Sequence, residues 1–211
     1  MSSRRWLIAV LVALPLMLGA PLALAGKPGG GGAGTTRNPI IFVHGYQGWG
    51  GNFNTMISRF KADGWADNQL YSFNYDSRAC IDTSAAQLRT YIANVLAQTG
   101  ASRVDIIAHS MGGLVASKVG GSVSQTVALG SPFQGTDMAN LCFDCSCTTM
   151  RPPGPGGCLQ ATWWSPCDEI INPDSSASCG SNHRTACISH MDLLTDLAVY
   201  QQVRDYVAPL N

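Results

Sequence analysis

The chain has 211 residues, 45% of them hydrophobic, which suits one globular domain with a full core and leaves little room for a second. Only 12% are Asp, Glu, Lys or Arg, and their formal charges cancel. That is about half the usual charged share, and nothing in it recommends a nucleic-acid partner.

Residues 1–25 read as a signal peptide. Arg4 and Arg5 precede an apolar run from Trp6 to about Leu18, and Ala23-Leu24-Ala25 has the small-x-small form of a cleavage site. A membrane anchor is the rival reading, but Pro15, Gly19 and Pro21 interrupt a stretch already short for the roughly 20 residues of a span. Ser3-Arg4-Arg5-Trp6-Leu7 matches a twin-arginine signal only in part, so Sec-type export and a secreted protein are expected. Residues 26–37 form a Gly-rich leader with too few apolar groups to fold (GKPGGGGAG over 26–34).

The catalytic domain is expected over residues 38–211. Residues 39–43 (PIIFV) are wholly apolar and rich in β-branched side chains, as in a strand buried on both faces of a parallel sheet. Phe53, Ile57 and Phe60 mark a helix after it. Residues 70–74 read as a second strand, followed by a helix over 85–99 with Leu88, Tyr91, Ile92, Val95 and Leu96 on one face. Ser84 and Gln87 form a capping box for it, and Gly100 supplies the stop. Further strands are predicted at 104–108, 126–129, 161–164 and 185–188, with helices over 114–119 and along Leu197, Tyr200, Val203 and Val207. About six mostly parallel strands flanked by helices make a doubly wound α/β domain. Between Asp137 and Gly157 the pattern dissolves into Cys, Pro and Gly, which reads as a disulfide-tied surface loop.

All eight cysteines, at 80, 142, 145, 147, 158, 167, 179 and 187, follow the cleavage site, and an even number in an exported chain predicts disulfides. The group at 142, 145, 147 and 158 is expected to fasten the irregular loop. The close spacing of Cys142, Cys145 and Cys147 could also serve zinc, but no second Cys or His pair at finger-like spacing follows. No metal is expected.

The strongest chemical signal is Ala108-His109-Ser110-Met111-Gly112-Gly113 between a strand and a helix. It reads as a nucleophile elbow, with Ala replacing the first Gly of G-x-S-x-G. Ser110 needs a base to take its proton and a carboxylate to orient that base, in the chain order Ser, Asp or Glu, His. Only His183 and His190 lie downstream; His190 directly follows a strand-like run, whereas His183 sits in a Ser/Asn/Gly-rich turn, so His190 is the expected base. Of Asp137, Asp144, Asp168, Glu169 and Asp174, Asp168 comes just beyond the strand at 161–164, where open α/β sheets gather their functional groups. If Asp168 points in, Glu169 should point away. His44 and His109 suit structural roles better. The oxyanion donors would be the backbone N–H groups of Met111 and of Tyr46, in His44-Gly45-Tyr46-Gln47-Gly48.

These residues resemble the small bacterial triacylglycerol lipases of the α/β-hydrolase fold that lack a large lid. The likeness rests on residues 38–45 (NPIIFVHG), 104–113 (VDIIAHSMGG), 165–171 (SPCDEII) and Ser189-His190, and on LGSPFQGT at 129–136. It implies a minimal α/β-hydrolase with Ser110, Asp168 and His190 as triad, an oxyanion hole at Tyr46 and Met111, and no cofactor. It further implies a monomer that cleaves lipid or other carboxylic esters at a lipid–water interface without stable membrane insertion. The eight cysteines and the 137–157 loop depart from the family. An acyltransferase or polyester hydrolase would use the same triad, with an alcohol rather than water accepting the acyl group in the transferase. A non-catalytic lipid-binding protein is the alternative from another class.

Overall fold

The computed structural model describes residues 37–208; the expected signal peptide and the leader up to residue 36 lie outside them. Six strands, β1 (Ile40–Val43), β2 (Leu70–Phe73), β3 (Val104–His109), β4 (Val123–Leu129), β5 (Ala161–Trp164) and β6 (Ser181–Arg184), form one sheet in the order β2-β1-β3-β4-β5-β6. Every pairing is parallel.

Alternation along the strands sends side chains to two separate cores. Ile40, Phe42, Ile107, Val127, Leu129, Ala161 and Trp163 pack under α1 (Asn54–Ala62) and α5 (Leu197–Val207). Ile41, Val43, Ile106, Ala108 and Ala128 pack under α2 (Ile81–Thr99) and α3 (Met111–Ala116). A sheet covered on both faces needs apolar residues at consecutive strand positions, which is why β1 is buried throughout. Among the described residues no helix is long and apolar enough to cross a membrane.

Several elements differ from expectation. Helix α2 starts at Ile81 with Cys80 as N-cap, so there is no Ser84–Gln87 capping box; Ser84 lies a turn inside, buried, its hydroxyl without a partner. Gly100 does end the helix, in the left-handed conformation at φ 71°. The last strand is residues 181–184 rather than 185–188. The 137–157 stretch is not wholly irregular: it holds a 3-10 turn at Asp137–Leu141 and the short helix α4 (Cys145–Met150).

The eight cysteines form four disulfides, Cys80–Cys145, Cys142–Cys147, Cys158–Cys179 and Cys167–Cys187. Only Cys142–Cys147 closes within the 137–157 stretch. Cys145 ties that stretch to the start of α2, and Cys158, the residue just after it, ties its end to the segment before β6, so all four cysteines of the group at 142, 145, 147 and 158 fasten the loop.

Candidate active site

The chain leaves β1 for β2 on one side and β3 for β4 on the other, so the strand order reverses between β1 and β3. A crevice opens there beyond the carboxyl ends of the strands. His44 and Gly45 follow β1, and Ser110 follows β3. Ser110 adopts φ 55° and ψ −131°, a strained conformation for a non-glycine residue. Its N–H donates to the Leu129 carbonyl (2.8 Å) and its carbonyl accepts from Gly113 (3.0 Å). The small neighbours that the elbow demands have clear reasons. A Cβ on Gly112 would lie 2.4 Å from the Val43 carbonyl oxygen, and one on Gly45 would lie 2.6 Å from Ser110 Cβ.

The carboxylate Oδ2 of Asp168 lies 2.7 Å from Nδ1 of His190, with side chains only 3% and 6% exposed. Its Oδ1 accepts from the N–H groups of Ile170 (2.9 Å) and Ile171 (2.8 Å). Burial pushes the Asp168 carboxyl upward, but the His190 ring and these two N–H groups outweigh it and hold the carboxyl below its usual range. With Nδ1 bound to a carboxylate, Nε2 is the nitrogen left to exchange protons.

Ser110 and His190 line one cavity of about 750 Å³. Its apolar walls include Met138, Leu141, Phe143, Met150, Ile171 and Met191. The backbone N–H groups of Tyr46 and Met111 donate to no acceptor among the described residues. Met111 is the first residue of α3, where helical N–H groups have no partner within the helix.

The remaining candidates are placed elsewhere. His183 lies on β6, stacked on Trp163 with ring centroids 4.2 Å apart and hydrogen-bonded to Ser181 Oγ (3.0 Å); it does not line the cavity. Asp137 and Asp174 open 3-10 turns. Asp144 accepts from the Tyr46 hydroxyl. His44 is buried against Tyr75, its Nδ1–H donating to the Gly45 carbonyl (2.9 Å), and burial lowers its pKa. Glu169 does not point away: its Oε2 accepts the backbone N–H of His190 (3.0 Å). This contact gave no sequence signal, because the partner is a main-chain atom. Among the described residues no group of three or more His, Cys, Asp or Glu side chains is placed to hold a metal ion.

Sheet, elbow and switch-point crevice define an α/β-hydrolase. Residues 37–145 match the family described as lipase (class 2), and the chain belongs to that family. It is 33% identical over 156 residues to a triacylglycerol lipase from Burkholderia plantarii, 66% of this chain and 42% of that protein. A triacylglycerol lipase from Pseudarthrobacter phenanthrenivorans is 32% identical over 123 residues, 52% of this chain and 37% of that protein. The chain thus spans less than half the length of these curated relatives. The mature form of a Bacillus licheniformis lipase shares the fold at a TM-score of 0.71 and 12% identity, covering 82% of this chain and 93% of that one.

Proposed function

We propose that the protein is a secreted serine hydrolase that cleaves carboxylic esters of lipids through an acyl-enzyme on Ser110. The observation that carries this reading is that His190, held by the buried Asp168, lines the same cavity as a serine on a strained elbow. Ser110 Oγ attacks the ester carbonyl carbon while His190 Nε2 takes its proton, and Asp168 stabilises the imidazolium without becoming protonated. The N–H groups of Tyr46 and Met111 hold the oxyanion. Collapse expels the alcohol, which leaves with the proton from His190. Water, deprotonated by the same nitrogen, then releases the acid.

The apolar cavity walls and the exposed Leu141 and Phe143 at its rim support a lipid substrate presented at an interface. Four disulfides support maturation in an oxidising compartment, reached by Sec-type export through residues 1–25. Ser110→Ala should lower turnover on a p-nitrophenyl ester by on the order of a millionfold, with the circular dichroism spectrum kept, and an alkyl fluorophosphonate should label Ser110 alone. Substantial hydrolysis by that variant would overturn the proposal.

A further inference from the structure

His190 belongs to no strand or helix: β6 ends at Arg184, and the next turn begins at Asp192. A base carried on an irregular segment would wander, while proton transfer needs it held within about 0.5 Å of its productive position. The structure supplies that order from residues 165–169. Ser165 Oγ accepts from the Ile188 N–H (3.0 Å) and lies 2.5 Å from the Ile188 carbonyl. Cys167 is covalently bonded to Cys187. Asp168 holds the ring at Nδ1 (2.7 Å), and Glu169 Oε2 takes the His190 backbone N–H (3.0 Å). Residues 165 and 169 thus grip the main chain on either side of Ser189, residue 167 anchors the segment covalently at Cys187, and residue 168 grips the imidazole.

The opposite side is closed by the buried His109. Its Nε2 lies 3.1 Å from the His190 carbonyl, and the two rings are 4.4 Å apart. A carbonyl only accepts, so Nε2 carries the proton. Burial first, and then the neighbouring His190, drive the His109 pKa down to about 3 and keep that ring neutral.

We propose that residues 165–169 act as one positioning device for the base, with Glu169 as a positioning residue that fixes the His190 peptide and the Cys167–Cys187 disulfide as its covalent anchor. The proposal rests on the reading of His190 as the base. Its sign is a loss of turnover rather than of substrate binding, since displacing a catalytic group by about 1 Å can cost on the order of a hundredfold in rate. The hydrogen bond, not the charge, is the working part, so Gln should substitute where Ala cannot.

The test compares wild type with Glu169→Ala, Glu169→Gln, His190→Ala and the double variant Cys167→Ala/Cys187→Ala. Each is measured for kcat and KM on a soluble p-nitrophenyl ester and for the rate of Ser110 phosphonylation by an alkyl fluorophosphonate. Glu169→Ala should lower kcat and the phosphonylation rate by about tenfold with KM within about twofold, and Glu169→Gln should recover most of that loss. The double variant should show the same kcat-selective loss well below its melting temperature; the Glu169 pair decides if it does not fold. Wild-type kcat in Glu169→Ala, or a Glu169→Gln no better than Glu169→Ala, overturns the device. Retained activity in His190→Ala overturns the base assignment instead.

Discussion

Asp168 and Asp105 are both buried carboxylates, and their surroundings drive them in opposite directions. Asp168 has a ring partner and two N–H donors, so its stabilising effect is present above the ordinary carboxylate pKa and is lost as pH falls through its depressed value. Asp105, on β3, accepts only from Asn38 Nδ2 (3.2 Å) and the Gln125 N–H (3.0 Å). Burial lifts it to about 6 against those two bonds. A raised carboxyl pKa means that the folded state binds the proton more tightly than the unfolded chain does. Stability therefore falls as pH rises from about 4 to about 6, by roughly 2–3 kcal/mol for a shift of this size. Asp105→Asn keeps the oxygen that serves Asn38 and Gln125 and removes the titration. Urea melts of that variant should show the fall between pH 4 and 6 flattened; an unchanged slope would mean that Asp105 is ionised without cost. The readout is the slope, because the new amide N–H groups carry their own burial penalty.

At the scale of elements, the turn after β4 packs directly against the contact between Asp168 and His190. Gly130 has φ 56°, and a Cβ there would lie 2.9 Å from Asp168 Oδ2 and 3.2 Å from His190 Nδ1. Gly130→Ala should prise the pair apart in a folded protein, lowering kcat by on the order of tenfold or more while KM changes little; a wild-type kcat would show that the pair tolerates the added methyl. The same junction shows what the sequence makes legible. Strands β1, β3 and β5 are mostly apolar runs, and the elbow shows Ala108 and Gly112 two residues either side of Ser110, so both can be read directly. The edge strand β6 (Ser181, Asn182, His183, Arg184) is largely exposed, and an exposed edge carries no apolar pattern. The apolar residues after it drew the strand prediction to 185–188, which is held instead by Ser165 and a disulfide. Ser84 and Gln87 have capping-box spacing, but α2 begins a turn earlier, at buried Ile81 with Cys80 as its N-cap. Glu169 could not be separated from Asp168 by composition, because its partner is an amide that every residue has.

Across the whole molecule, the crevice lined by Ser110 and His190 is built on the central sheet, but its outer wall is not. That wall comes from the 137–151 region, where Leu141 and Phe143 are 73% and 89% exposed on either side of Cys142. Cys142–Cys147 closes the tip and Cys80–Cys145 bolts α4 to the start of α2, so these apolar groups are held out in water while Ala139, Cys147 and Met150 beside them are buried in the core. Transferring a Leu and a Phe side chain from water into an apolar phase is worth about 1.5–3 kcal/mol each. A lipid–water interface next to the cavity mouth would supply that phase and present the ester beside Ser110. The double variant Leu141→Ser/Phe143→Ser should therefore lose adsorption to emulsified triacylglycerol, lowering the ratio of emulsion to soluble-ester activity by at least about fivefold. Partitioning measured by centrifugation should fall in parallel with that ratio. If both activities drop together and adsorption is unchanged, the two side chains shape the cavity wall and the contact with the interface lies elsewhere.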